Sequence, residues 1–528
     1  MYKIFIIKPI FWAFFIFSLQ VYSCNGQQNE GLTITRDKIN DEKKLKLDSL
    51  LKEDKIEIIN STFLGNEKRN YYGNQAPNRL DLIWKISLGT GTTKVGSETK
   101  TWSGAGWTGQ PLAVRHNKIL YLIQGAYDHH LKKIEAATGT IIWQYEFEDV
   151  LKGTGTIWAN PNADSLKNRY IIMQGSRKGN QRSNSSAIVP SYRAVSFITG
   201  KDLWQLNSVA TESYSRDVDG SAVVVNDTAY IGLENGLFTV FNPDPDKAKI
   251  KQGIKQPFIY LQDSLFRKSD KTKHGGNLVT ESSPCRLGNK IYVTSGSGHV
   301  FGYNMDTKRI DWDFLIGSDM DGSPVVTHDN CLLVSIEKEY IEGKGGVFKL
   351  DPSKPADSSC VKWYFPVENR FFVFWYGGII GSASVNDLYK AKRDTFYHSS
   401  GKPILTQKIP HLAAFVAIDE NLYIVNQDLI AEGKKVPGPD GKKLYPTPKL
   451  VFKYKTGPSI STPLFVQNKI VVATYNGIYL FEHDENLNFK LLDFYQTGSI
   501  ESTPFVFNKR IYVACRDGNL YCFGEKTE

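Results

Sequence analysis

The chain has 528 residues, of which 41% are hydrophobic, 12% aromatic and 23% charged, a globular composition that excludes collagenous, low-complexity and wholly disordered architectures. Its formal charge of +9 includes Lys3 and Lys8; without them 62 basic residues face 55 acidic ones, or +7, and no dense Lys/Arg block interleaves with aromatics. Nucleic acid is therefore not an expected partner.

Residues 1–23 read as a signal peptide, with Lys3 at a short basic start, an apolar centre from Ile10 to Leu19, and small Ser23 before Cys24. The apolar run is broken by Lys8-Pro9 and fades at Gln20, too short to span about 30 Å of hydrocarbon. Val21-Tyr22-Ser23-Cys24 resembles a bacterial lipobox, although Tyr22 stands where a small residue is usual. That resemblance implies lipidation at Cys24, membrane contact through an N-terminal lipid, and an outer-membrane lipoprotein of the cell envelope facing the periplasm or the cell surface. Residues 24–60 are polar and charged and read as a tether, with Leu45, Leu47, Leu50 and Leu51 forming at most one weak amphipathic helix.

A length of 528 residues suggests three or four domains of about 150 residues unless a repeat spreads one fold over the whole chain. Such a repeat is present from residue 61 to 528. A signature of a polar residue, Gly/Ser, Ser/Thr and Pro/Ala recurs, its last position falling at Pro111, Pro161, Ala222, Pro284, Pro324, Ala383, Pro463 and Pro504. The spacings are 50, 61, 62, 40, 59, 80 and 41 residues, and the shortest matches one four-stranded propeller blade. Alternating β-branched and aromatic runs follow each signature, as in Ile291-Tyr292-Val293, then tight turns such as Asp517-Gly518. The copies end on Thr-x-x-x-x-Trp: Thr138 to Trp143, Thr199 to Trp204 and Thr307 to Trp312, with Trp363, Phe452 and Phe494 at comparable points. The eighth copy stops one strand short, at Cys522-Phe523-Gly524, while Leu82-Ile83-Trp84-Lys85 resembles an outer strand without a blade. The expected fold is an all-β, eight-bladed propeller of four-stranded antiparallel blades, its ring closed by that N-terminal strand and so left without free sheet edges.

The units Thr138-Gly139-Thr140-Ile141-Ile142-Trp143 and Thr199-Gly200-Lys201-Asp202-Leu203-Trp204, with the Ser-Pro strand starts, resemble the pyrroloquinoline-quinone-like (PQQ-like) repeat propellers. That family includes quinoprotein dehydrogenases and the propeller lipoprotein of the outer-membrane barrel-assembly machinery. Phe63-Leu64-Gly65-Asn66-Glu67-Lys68-Arg69 is similar to a lead-in of non-enzymatic members, and the chain resembles the lipoprotein more than the dehydrogenases. The resemblance spans about residues 60 to 525 and implies fold more than activity. In the dehydrogenases a quinone lies between a tryptophan and a disulfide of adjacent cysteines, beside calcium and a catalytic aspartate. Here Cys24, Cys285, Cys331, Cys360, Cys515 and Cys522 include no adjacent pair. PQQ is accordingly not expected, no cofactor is predicted, and no catalytic residue is assigned. Cys331 and Cys360 fall within one blade and could pair there.

Three residues before each signature end stand Thr108, Trp158, Asp219, Glu281, Asp321, Ile380, Ile460 and Glu501, near the mouth of the central channel. With Trp107, the residues Trp158, Asp219, Glu281, Asp321 and Glu501 form the expected channel mouth, which could hold Ca2+ or a basic side chain, or serve only as hydrogen-bond acceptors. Whether a metal binds is left open. His129-His130 reads as a loop pair. No Gly-x-Ser-x-Gly, Walker or His-Glu-x-x-His motif is present. The most informative insertion is Arg370, Phe371, Phe372, Phe374, Trp375 and Tyr376, in a connection between blades where exposed aromatics and Arg commonly anchor partners. A second insertion, about Asn426 to Lys449, reads as a protruding polar loop. The expected function is a protein-binding or assembly scaffold with envelope partners, including outer-membrane proteins. Two alternatives stand beside it: a quinone-dependent or atypical periplasmic oxidoreductase, and a carbohydrate or small-ligand binder using Trp102, Trp107 and Trp158.

Overall fold

A computed structural model describes residues 55–179, 181, 184–391 and 396–526; the leader, Cys24 and most of the polar stretch after it lie outside the described residues. Among the described residues eight sheets form the expected propeller, seven of four strands and that of blade 1 with a fifth strand added at its inner edge. The innermost strands are Leu112–His116, Thr156–Ala159, Val223–Val225, Cys285–Leu287, Val325–Val326, Ser384–Val385, Leu464–Val466 and Phe505–Phe507, for blades 1 to 8. Ring closure is as expected: Asp81–Ser87 pairs antiparallel with Asn519–Gly524 and supplies the outer strand of blade 8.

The recurrent Trp and the Thr-Gly turn before it have a common cause. Every blade carries a β-bulge between its third and fourth strands, as at Lys133/Ile134, Ala194/Val195 and Leu82/Trp84. A bulge re-aims the residue that follows it. In five blades that residue is a tryptophan whose indole N–H donates to a carbonyl of the next blade: Trp84 to Ala136, Trp143 to Phe197, Trp204 to Pro243, Trp312 to Lys354 and Trp363 to Gln427, all at 2.8–3.2 Å. In blades 1 and 2 the Thr-Gly glycine, Gly139 or Gly200, makes room for the incoming ring. Gly200 has φ +66°, and a Cβ there would stand 2.8 Å from the Trp143 indole, so both conformation and space require glycine. Blade 7 departs from the expected alignment. Asp493 follows its bulge, accepting from the Leu80 amide at 2.7 Å, and Phe494 turns outward.

A second set of contacts joins the blades near the axis. The Ser or Thr just before each signature Pro/Ala accepts, through its hydroxyl, the backbone N–H of the equivalent residue in the preceding blade. The series runs Gln110 to Thr154 (2.6 Å), Ser221 to Ser283 (2.8 Å), Ser283 to Ser323 (2.8 Å), Ser323 to Ser382 (2.9 Å), Ser382 to Thr462 (3.1 Å) and Thr462 to Thr503 (3.4 Å). Between blades 2 and 3 the sense reverses, the Ser221 hydroxyl donating to the Thr154 carbonyl at 2.6 Å. Blade 1 has Gln110 at this position, and its side-chain amide donates to the Pro504 carbonyl of blade 8 at 2.8 Å.

This relay corrects the alignment of blade 2. Its innermost strand, Thr156–Ala159, precedes Pro161, so the true signature is Lys152-Gly153-Thr154-Gly155 and the mouth residue is Lys152, not Trp158. Trp158 packs between blades 2 and 3, its indole donating to the Asn226 carbonyl at 3.1 Å.

The lead-in segment fills the channel up to the relay. Ile56–Asn60 pairs with the inner edge of Leu112–His116, and the following residues contact blade after blade before joining blade 8 at Asp81. Arg69 is fully buried, donating to the carbonyls of Pro284, Ser221 and Phe63 and to the Thr62 hydroxyl. Burial pushes its pKa down to about 9, so the guanidinium stays charged at neutral pH and its donors remain satisfied. Tyr72 and Tyr389 exchange further bonds with this segment, the Tyr72 hydroxyl accepting the Val385 amide at 3.1 Å and the Tyr389 hydroxyl donating to the Gly73 carbonyl at 2.9 Å.

The expected polar loop after Asn426 is instead a long hairpin, Asn421–Pro437 against Leu444–Lys455. It folds back on blade 5, where Tyr445 packs against Phe348 with ring centroids 5.2 Å apart. Cys331 and Cys360 are both free buried thiols rather than a disulfide.

Deleting residues 79–87 removes the closing strand, exposing an edge in blade 8 and breaking the Trp84 contact. The deletion is expected to lower the unfolding midpoint of the whole propeller, monitored by thermal or denaturant melts; an unchanged cooperative midpoint would show that the strand closes nothing.

Candidate functional site

Because the relay fixes where each innermost strand begins, residues three positions earlier meet above the plug at one mouth of the channel. A small cavity there is lined by Phe63, Asp219, Glu281 and Asp321. It lies beside a larger one of about 1010 Å³, lined among others by Trp102, Trp107, Lys152, Tyr214, Glu234 and Phe374. The sequence anticipated Asp219, Glu281 and Asp321; it missed Lys152, Glu234, Asp319 and Glu337. The spacing of Lys152 from Thr154 could have revealed the lysine, whereas the other three come from positions outside the repeated alignment.

The buried carboxyls form two groups. Asp219, Glu234 and Glu281 approach one another, as do Asp319, Asp321 and Glu337. The first group encloses the Lys152 ammonium, 2.6 Å from Asp219 Oδ2 and 3.4 Å from Glu234 Oε1. Burial acts to lower the lysine pKa, but the fields of Asp219, Glu234, Glu281 and Asp217 outweigh it and hold Lys152 charged. Burial pushes Glu234 and Glu281 up to about 7, against the opposing field of Lys152. Asp219 is also raised, by burial and by Glu234. Several acids thus share one cation and do not all ionise near neutrality.

Among the described residues, no ammonium or guanidinium lies inside the second group. Burial raises Asp319 to about 6, with Asn277 Nδ2 donating to its Oδ2 at 2.6 Å. Asp321 and Glu337 are both raised by burial and by neighbouring carboxyls. Asp319 Oδ1 and Glu337 Oε1 have no hydrogen-bond partner among the described residues. This all-oxygen set suits a hard cation such as Ca2+, whereas Lys152 already fills the first group.

Glu501 stands apart from both groups, held by Arg516 Nη1 at 2.9 and 3.0 Å and by the Tyr475 hydroxyl at 3.1 Å. Trp107 has left-handed backbone (φ +51°), and its indole donates to Glu281. Arg177 and Arg516 lie 5.5 and 5.4 Å from the Trp102 ring centroid, and Lys152 lies 4.9 Å from that of Trp107. These two rings are thus engaged by cations, and with Trp158 between blades the three tryptophans do not make a shared sugar-stacking platform. His129 and His130 face backbone carbonyls, those of Thr92 and Asp128.

The aromatic insertion is a tight hairpin over this mouth. Phe372 and Trp375 exchange both backbone bonds at 2.9 Å around a turn with Val373 at φ +59°. Its side chains divide into two sets. Trp375 is 6% exposed and packs with Ile380, Ile418, Ile460 and Trp107, while Phe372 meets Tyr475 edge-on at 4.8 Å. Both differ from the expectation of exposed anchors, because their rings cap the apolar side of the channel. Phe371, Val373, Phe374 and Tyr376 remain 58–62% exposed, and Arg370 pairs with Glu420 at 2.7 Å.

A family model described as "Outer membrane protein assembly factor BamB" matches residues 81–357, more than half of the chain. No curated protein matches the sequence. Among solved structures, a europium-containing methanol dehydrogenase is similar at 14% identity and TM-score 0.51, over 88% of this chain and 98% of that one. BamB from Moraxella catarrhalis is similar at 12% identity and TM-score 0.49, over 84% and 100% respectively. Quinohemoprotein alcohol dehydrogenase from Comamonas testosteroni is similar at 14% identity and TM-score 0.48, over 89% and 81%. At these identities the likeness concerns the fold. A quinone seated on a disulfide of adjacent cysteines does not fit the described residues, whose five cysteines are buried free thiols.

The raised carboxyls give stability a direction with pH. The folded chain holds the protons of Glu234 and Glu281 more tightly than the unfolded chain, whose glutamates titrate near 4.5. Their contribution is therefore fully present below about pH 4.5 and is lost as pH rises through about 7. The melting midpoint is expected to fall between pH 6 and 8, and Glu234→Gln with Glu281→Gln should flatten that fall. Thermal melts across pH test this; a slope unaltered in the double variant would contradict it.

Proposed function

The chain belongs to the family whose model is described as outer-membrane protein assembly factor BamB, and from that premise we propose that it is a docking scaffold of the bacterial cell envelope, binding an envelope protein through the channel-mouth face. The observation that carries this reading is the hairpin at Phe371–Tyr376. Four apolar or aromatic side chains stand exposed on a turn whose backbone is fixed by paired bonds and by the buried rings of Trp375 and Phe372. An apolar tip held rigid loses little conformational entropy on binding, and rigid aromatic anchors contribute most of the energy in protein interfaces. The plug supports a one-sided arrangement, because the lead-in occupies the channel up to the relay and leaves the mouth as its open end. In this reading the N-terminal segment is a cleaved signal peptide, Cys24 carries the lipid, and the residues before Ile56 tether the ring to the membrane.

The oxidoreductase alternative rests on the second carboxyl group, Asp319, Asp321 and Glu337, which could take a cation beside a substrate. The absent cysteine platform argues for the scaffold.

The test is capture of partners from solubilised envelope, with melts run beside it. Alanine at Phe371, Phe374 or Tyr376 is expected to weaken capture by about 2 kcal/mol, some thirtyfold, with little change in melting. Trp375→Ala should cost about 3–5 kcal/mol of stability through the cavity it leaves. Cys24→Ser should release the chain into the soluble envelope fraction. Undiminished capture by the three exposed variants would overturn the docking assignment, and unchanged membrane retention of Cys24→Ser would overturn the anchor.

A further inference from the structure

On the base of the ring, away from the mouth, blades 5 and 6 bring two histidines and two aspartates together. His328 lies in the turn after Val325–Val326 of blade 5, while His411 precedes the strand Leu412–Val416 and Asp428 lies within Asn421–Pro437 of blade 6. The imidazoles stack, with centroids 3.5 Å apart and planes 9° from parallel. His328 Nε2 is 2.8 Å from Asp428 Oδ1, and one ligand atom from each of His328, His411 and Asp428 lies within 4.8 Å of the others. A tetrahedral zinc site, with bonds of 2.0–2.2 Å, separates its ligand atoms by about 3.3 Å. Binding requires the two rings to unstack, because imidazole lone pairs lie in the ring plane and two imidazoles on one tetrahedral ion hold their centroids about 5 Å apart.

The surroundings are those of a built site. Asp387, 6% exposed, lies 2.9 Å from His411 Nδ1, so that this nitrogen carries the hydrogen and Nε2 offers its lone pair. The same carboxylate is fixed by Gln427 Nε2 at 2.9 Å and by the backbone N–H of His328 at 2.8 Å. A carboxylate behind a histidine is the usual support of a metal-bound imidazole, orienting the ring and raising its basicity. Gln427 Oε1, on the amide that binds Asp387, is buried and has no hydrogen-bond partner among the described residues. His328, His411 and Asp428 keep side-chain exposures of 28%, 21% and 42%, which leave a route for an ion and a position for water. Lys349, 3.7 Å from Asp428 Oδ1, opposes a cation, and its charge is countered by Asp329 at 2.9 Å.

We propose that His328, His411 and Asp428 bind one transition-metal ion of the zinc class, oriented by Asp387, and that the ion staples blade 5 to blade 6. Two imidazoles and one carboxylate favour zinc, nickel or copper over calcium or magnesium, which prefer all-oxygen shells. The site is independent of the docking reading, since it lies on the other face and uses none of the same residues.

The experiment uses the untagged chain, stripped of metal, with zinc chloride titrated by calorimetry and followed by thermal melting. One zinc per chain and a raised melting midpoint are expected, with no comparable effect of calcium or magnesium at the same concentration. Asp428→Asn, at an exposed position, should weaken zinc binding at least about tenfold while leaving the metal-free melt unchanged, and His328→Ala with His411→Ala should abolish it. Asp387→Asn should weaken it about 10- to 100-fold. Cobalt substitution should give visible absorption of a four- or five-coordinate ion that is lost in Asp428→Asn. Absence of zinc binding, or binding that survives in the double histidine variant, would overturn the assignment.

Discussion

The structure depends on one hydrogen bond repeated around its axis: a hydroxyl at the start of one blade accepting the backbone N–H of the blade before it. Buried N–H groups near the axis of a ring have no water to bond and no strand beside them, and leaving one unpaired costs about 1–3 kcal/mol. Ser283, Ser323, Ser382, Thr462 and Thr503 meet that need with the smallest side chains that can. The same bonds set the height of every innermost strand, and so place the residues three positions earlier at one level. The acidic mouth follows from the relay rather than from any motif of its own. Further out, indole-to-carbonyl bonds repeat the arrangement with larger groups, the bulge aiming each Trp and, in blades 1 and 2, a Thr-Gly turn receiving it.

Much of this could be read from the sequence, because the repeated residues are those that make the inter-blade contacts. The Ser/Thr-Pro/Ala signature is the relay, Thr-x-x-x-x-Trp is the bulge with its docked ring, and Leu82–Lys85 has the pattern of an outer strand because it is one. The errors have local causes. Pro161 imitated the signature of blade 2 closely enough to hide Thr154, whose neighbours on both sides are glycines, and this put Trp158 where Lys152 belongs. The arm from about Asn426 to Lys449 looked polar and loop-like because the residues beyond Gln427 are largely exposed, and exposure removes the apolar alternation by which strands are recognised. In the hairpin, composition showed aromatics but not which would turn inward; only the packing of Trp375 on Ile380 and Ile460 separates anchor from cap.

The two faces of the ring differ in kind. The plug, with Arg69 bonded to blades 3 and 4, occupies the channel, so the mouth is the end left available. There a strongly acidic sector from blades 3 to 5 meets Lys152, Arg177 and Arg516 from blades 2 and 8, and burial together with neighbouring carboxyls raises the pKa of several acids. Such a surface offers charge pattern and a rigid apolar tip side by side. Complementary charge sets orientation and rate of encounter, while the apolar tip contributes affinity.

The claim that the mouth face is the docking surface is tested most directly inside the cell, by a photo-activated cross-linking residue placed at Phe374 and, in a separate strain, at Ile250, which is 79% exposed on the outer side of blade 3. The account predicts a discrete cross-linked envelope protein from position 374 and none from position 250. Cross-linking confined to position 250, or absent from position 374 in a chain that folds and reaches the envelope, would contradict it.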